Sequence, residues 1–249
     1  MIMDCYATTL RYYARWLGAD ETALRAPTVR AVFCANRNIA FAGFSKPDDL
    51  VVWMAGATTI ISYGDRTAAE AEILVRVAAS RVTLERLATE IALRCGQTPA
   101  HSVKYSLRSP SKVVSSARVL TAEDYTSFEA FFKSCHLKCA DLSWLKGYYD
   151  DLVARKLAWG VFVDGALVSA SDAPDMPFLS SEVQEIGINT RAEFRGHGYA
   201  KMACAAAIES LLGRGICPLW STGVENVASQ RLAHSLGFER IADVLTLSL

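Results

Sequence analysis

Between Glu185 and Lys201 the chain reads EIGINTRAEFRGHGYAK, an alternating apolar stretch followed by Gly196 and Gly198 with Arg195, His197 and Lys201 around them. Glycine leaves the main chain uncovered. The run GYAKMACAAAIESLLGRG that follows has the composition of a helix, and the first N–H groups of a helix are unpaired and carry the positive end of its dipole. Bare N–H groups, a positive dipole end and basic side chains in one corner suit an anion, above all a phosphate. Taken alone, a Gly-x-Gly ahead of a helix is as readily a tight turn.

The elements that must position this corner follow from local patterns. EVQEIGINT reads as a strand ahead of it, ICPLWST as a strand after its helix, and NVASQRLAHSLGF as a helix with Asn226 near its N-cap and Gly237 near its C-cap. ERIADVLTLSL reads as a terminal strand. Upstream, WGVFVDGALVSAS reads as a hairpin turning on Asp164-Gly165. Before that come two helix candidates, TAEDYTSFEAFFKSC and DLSWLKGYYDDLVARKL, and a short strand, ARVL. The first part opens with a helix whose Leu10, Tyr13 and Leu17 share a face and which stops at Gly18. VRAVFCANRNIAFAGF and LVVWMAGATTIISYG read as strands, and two helices follow, the first opened by a Thr67/Glu70 capping box. Residues 98–116, polar and rich in serine with Pro99 and Pro110, read as a linker. The expected organisation is therefore a mixed α/β fold in two domains, an N-terminal α/β domain over 1–116 and a second over 117–249.

A chain of 249 residues can bury a sizeable core, and its 26 basic and 26 acidic residues cancel. Zero net charge argues against nucleic acid or an anionic membrane as a partner held by bulk basicity, and favours a small ligand. An odd number of cysteines, seven, embedded in apolar sequence suits reduced thiols. With no signal-peptide layout and no apolar run of membrane-spanning length, a cytoplasmic protein is expected, with a homodimer as its candidate assembly. Cys135, His136 and Cys139 cluster, but without a second pair they fall short of four ligands, so no metal is expected.

Arg195 to Ala200, RGHGYA, resembles the coenzyme A pyrophosphate loop of the GNAT N-acetyltransferase superfamily. NVASQRLAHSLGF resembles that family's later block, an Asn, a Ser three residues on, a Leu and a closing Gly-Phe. The resemblance covers roughly 118–249 and implies a GNAT-like fold there; the N-terminal half follows an element order that a degenerate copy of the same fold would show. It implies acetyl-CoA as acyl donor. Ile188, Asn189 and Thr190 would meet the pantetheine arm and thioester, Arg195, Gly196, His197, Gly198, Tyr199 and Ala200 the pyrophosphate, and Asn226 the pantetheine. A dinucleotide site fits less well, because Lys201 stands where a third glycine belongs and no acid ends the next strand.

The implied activity is transfer of an acetyl group from acetyl-CoA to a primary amine on a small molecule or a peptide. An alkyl amine must lose its proton before it attacks, which calls for a base. Glu185 is the candidate, with Glu182 as the alternative. The family commonly has Leu-Tyr where this chain has Leu232-Ala233, so the hydroxyl that would protonate the departing thiolate is missing. A non-catalytic acyl-CoA-binding protein is the competing expectation.

Overall fold

The computed structural model describes residues 4–41 and 45–249. Helix α1 (Cys5–Leu17) is opened by the Asp4 carboxylate, which accepts from the Ala7 N–H at 3.0 Å, and closed by Gly18 in the left-handed region. Leu10, Tyr13 and Leu17 are buried as their spacing requires. After a short α2 (Glu21–Arg25) come β1 (Thr28–Phe33), β2 (Leu50–Ala55) and β3 (Thr58–Tyr63). The strand expected beyond β1 is replaced by a 3-10 turn over Ala35–Asn38, and 42–44 lie outside the described residues. Helices α3 (Ala68–Ala79) and α4 (Leu84–Cys95) follow. The expected capping box at Thr67 does not form, because the buried Thr67 hydroxyl donates instead to the Asp49 carbonyl at 2.7 Å.

The stretch read as a linker contains β4 (Ala100–Leu107), a central strand. Its polar residues misled the pattern: Lys104 faces a cleft described below, and Ser106 is buried outright. Then come β5 (Arg118–Val119), α5 (Tyr125–Cys135), α6 (Leu145–Ala154), and the hairpin β6 (Trp159–Val163) and β7 (Ala166–Asp172). Asp164 and Gly165 both have positive φ, 49° and 78°, as the I′ turn demands. The stretch expected as one strand is two, β8 (Val183–Glu185) and β9 (Gly187–Thr190). They are followed by α7 (Tyr199–Gly213), β10 (Cys217–Gly223), α8 (Val227–Leu236) and β11 (Phe238–Leu247).

Two mixed sheets result. One runs β1-β3-β2-β11-β4-β10-β8, the other β5-β6-β7-β9. The first takes strands from both sides of residue 116: β4 lies between β10 and β11, antiparallel to both, while β11 pairs on its far edge with β2. The sheet therefore crosses the expected domain boundary. Trp53, Tyr105 and Trp220 are fully buried in it, each contributing on the order of 2–3 kcal/mol by leaving water. The small residues Ala203, Cys204 and Ala207 let α7 pack closely on β6, β7 and β9.

A fragment of 117–249 lacks the strand that joins β10 to β11. Expressed alone it should give no cooperative thermal transition, and co-expression with 1–116 should restore one; a sharp transition in the fragment alone would contradict this reading of the sheet.

Candidate active site

The two sheets part at one residue. Glu185 pairs with Leu219 on β10, and the Ile186 N–H still donates to the Leu219 carbonyl at 3.1 Å. From Gly187 onward the chain pairs with β7 instead. Past Leu219, β10 keeps only its β4 neighbour, so a wedge opens between β9 and β10. Its walls carry unspent main-chain groups. The Arg191 N–H donates to the Val168 carbonyl at 3.0 Å, and alternation along an antiparallel ladder then turns Asn189 toward β7 and leaves Ile188 and Thr190 facing the wedge. Of the three residues expected to line it with their backbone, Asn189 does not: its carbonyl accepts from the Ser169 hydroxyl at 3.1 Å.

The glycine corner sits where β9 leaves the wedge. Gly196 and Gly198 both have φ of 83°, and a Cβ built on either would meet no atom within 4 Å. The glycines are thus required by backbone conformation, and they leave open space above the loop. Gly198 is the N-cap of α7 and no side chain caps it, so the first-turn N–H groups of Tyr199, Ala200 and Lys201 have no helical partner. The exposed Arg195 is anchored by its Nε, which donates to the Thr190 carbonyl at 3.3 Å. His197 turns back on the loop, with Nδ1 3.0 Å from the Arg195 carbonyl and its ring stacked on Tyr199. Asn226 lies beyond the parallel strand β10 and therefore at the same end of the wedge. Its side chain caps α8, accepting from the Ser229 N–H at 3.1 Å.

At the other end, on the face covered by α1, a cleft of about 1000 Å³ opens. Glu185 lines it and accepts a hydrogen bond from the Ser221 hydroxyl. Glu182 is instead paired with Arg11 on the surface. The register places Lys104 opposite Ser221 and Glu185 opposite Leu219, two residues back along β10, so Glu185, Ser221 and Lys104 share one face of three adjacent strands. Burial pushes the Lys104 ammonium below its ordinary pKa, opposed by the charges of Glu185 and Asp48. Burial, and then the Glu185 charge, push the Tyr12 hydroxyl well up, so it remains a donor over any working pH. Behind the cleft, the fully buried Arg37 lies over the Trp16 ring at 4.7 Å, donates to the Trp16 carbonyl, and stands 3.7 Å from Asp48. Sequence reading missed Tyr12, Trp16, Asp48, Lys104 and Ser221, whose separations along the chain carry no motif. The alternation of AHSVKYSL in β4 was the one usable signal.

Ala233 is buried in the core and brings no hydroxyl itself, and the neighbouring exposed His234 packs edge-on to Tyr105. Asp172 is a second carboxyl near the sheet junction, held above the usual carboxylate range by burial and hydrogen-bonded to Tyr148. A Cβ at Gly187 would overlap it.

The GNAT acetyltransferase family model matches residues 160–244, from β6 to β11. This segment carries a GNAT acetyltransferase domain. The match takes in the glycine loop, the wedge and Glu185, and leaves out α1 and β4, which complete the cleft. Among solved structures, a GNAT-family acetyltransferase from Colwellia psychrerythraea is 22% identical with a TM-score of 0.53, covering 60% of this chain and 56% of its own. A GNAT-family protein from Novosphingobium aromaticivorans is 22% identical with a TM-score of 0.47, covering 59% and 63%. A protein from Salmonella typhimurium, solved with its cofactor acetyl-CoA, is 16% identical with a TM-score of 0.45, covering 55% and 94%. The chain thus spans less than two thirds of the length of the first two, and the likeness is one of GNAT fold. No match was found among curated proteins. Among the described residues, no helix is long and apolar enough to cross a membrane.

An L-residue held at a left-handed φ costs about 1–2 kcal/mol. Gly198→Ala should therefore lower the stability of the GNAT domain by about that much in a denaturant titration, although its methyl group meets nothing. An unchanged midpoint would mean that the loop does not hold this conformation.

Proposed function

We propose that the protein transfers an acetyl group from acetyl-CoA to a primary amine. The observation that carries this reading is the wedge, which ends at one side in a glycine loop of unpaired N–H groups and at the other in a cleft with an accessible carboxylate. In this reading the pyrophosphate rests on the N–H groups from Gly196 to Ala200, with Arg195 and Lys201 adding positive charge. The pantetheine arm follows Ile188 and Thr190, and Asn226 borders it while capping α8. Asn189 contributes by holding β9 to β7.

In the transfer, Glu185 takes a proton from the bound ammonium, the amine nitrogen attacks the thioester carbonyl, the carbon–sulfur bond breaks as the carbon–nitrogen bond forms, and the second amine proton passes to solvent, from which the departing thiolate can take one up. A main-chain N–H facing the wedge at Ile188 would receive the negative charge on the carbonyl oxygen. A thiol of ordinary pKa about 8.5 can leave as thiolate, so the absence of a hydroxyl at Ala233 is tolerable. We place these roles in 117–249 and assign to 1–116 one wall of the acceptor cleft. The buried Ala233 also favours a second reading, an acyl-CoA-binding protein without turnover.

Thiol release from acetyl-CoA with a panel of amines separates the two readings, since binding without release supports only the second. Glu185→Gln should lower kcat by about 10² to 10⁴, the range for a positioned base. The parental kcat should rise with pH and level off without a falling alkaline limb. Arg195→Glu should weaken acetyl-CoA binding more than binding of acetyl-pantetheine, which lacks the pyrophosphate; equal losses would remove the loop from the donor site.

A further inference from the structure

Three carboxylates line the cleft, and two of them are occupied. Asp48 has Arg37 at 3.7 Å and accepts from the Ser248 hydroxyl at 3.5 Å. Asp175 is paired with Arg155 at 3.2 Å. Glu185 receives only the neutral Ser221 hydroxyl. Three cations line it as well: Lys46 is exposed, and the other two divide in the same way. Arg155 is spent on Asp151, Asp175 and Gln184. Lys104 has no carboxylate within 4.0 Å among the described residues, and its ammonium stands 5.6 Å from the centre of the Trp16 ring. Apart from the exposed Lys46, the cleft therefore offers one uncommitted carboxylate and one uncommitted, half-buried ammonium, two strand spacings and a two-residue offset apart, about 12 Å at the backbone. Both side chains reach inward from the same face of the sheet and narrow that gap.

An ammonium in this position with no anion in contact is costly, and a ligand that brings one relieves the cost. We propose that the acceptor is an amino acid or an amine of that form, with its amine set at Glu185 and its carboxylate on Lys104. The apolar lining of Tyr13, Trp16 and Met176 takes an apolar side chain. A polyamine is disfavoured because it would need a second free carboxylate, and both remaining acids already hold arginines. A peptide N-terminus is disfavoured because its first residue has no carboxylate to give. This inference rests on the assignment of Glu185 as the amine's partner.

The test is calorimetric titration of the full chain with phenylalanine, leucine and methionine and with the amines that lack only the carboxylate, phenethylamine, isoamylamine and 3-(methylthio)propylamine. A desolvated, charge-assisted bond is worth about 1.5–3 kcal/mol, so the amino acids should bind roughly tenfold to a hundredfold more tightly than their decarboxylated partners. Lys104→Met should abolish that difference and Lys104→Arg should keep part of it, with folding of both checked by their thermal transitions. Equal affinity within each pair, no binding by any amino acid, or a difference that survives Lys104→Met would each overturn the proposal. Acetyl-CoA binding and thiol release are followed separately. Amino-acid binding that depends on Lys104 without thiol release would leave the carboxylate site standing and reject acyl transfer, whereas release with phenethylamine as efficient as with phenylalanine would do the reverse.

Discussion

Between Glu185 and Gly187 the chain leaves a seven-stranded sheet and enters a four-stranded one, and Ile186 is the residue that makes the change. Two sheets bridged here by one nearly continuous extended segment must diverge beyond it, since β9 cannot satisfy both β7 and β10. The divergence leaves main-chain donors and acceptors facing a gap, an expensive arrangement unless water or a ligand meets them. The glycine loop, Asn226 and Glu185 are all placed by that gap. The glycine loop lies at its open end because β9 runs into it, Asn226 lies there because β10 is parallel to β8, and Glu185 lies at its closed end because it is the last residue still paired with β10.

The acceptor cleft depends on a different constraint. Lys104 belongs to a strand more than a hundred residues away from Ser221, yet the antiparallel register of β4 with β10 sets them opposite each other. Because β4 also separates β10 from β11, the strand that carries Lys104 holds the C-terminal sheet together. Helix α1 then roofs the same face and contributes Tyr12, Tyr13 and Trp16. The N-terminal residues therefore serve the site by completing its sheet and covering it.

Packing behind the cleft fixes its charges. Arg37 is buried with its guanidinium against Trp16 and near Asp48, a cluster that holds the ring and the carboxylate in place. Burial lowers the pKa of Arg37 and raises that of Asp48, and each charge works against the other's desolvation. Such a pair is maintained as a unit, since removing either partner leaves the other buried alone.

Local chemistry in the sequence determined the parts whose causes are local. Gly196 and Gly198 announced a backbone only glycine adopts easily, Asp164-Gly165 a hairpin turn, Gly18, Gly96 and Gly237 the ends of three helices, and Asn226 a cap; each depends on neighbours within a few residues. The small residues of α7 likewise signalled close packing. What the tertiary structure decided are the pairings between distant strands. The break of EVQEIGINT into β8 and β9 left no mark in its alternation, because both halves keep the same period of two while changing partner. The polar character of 98–116 pointed to a linker, because a strand whose polar side chains line a cleft or lie buried has the composition of a loop. The grouping of Lys104, Ser221 and Glu185 was set by hydrogen-bond register across β4, β10 and β8, a quantity that no window of sequence contains.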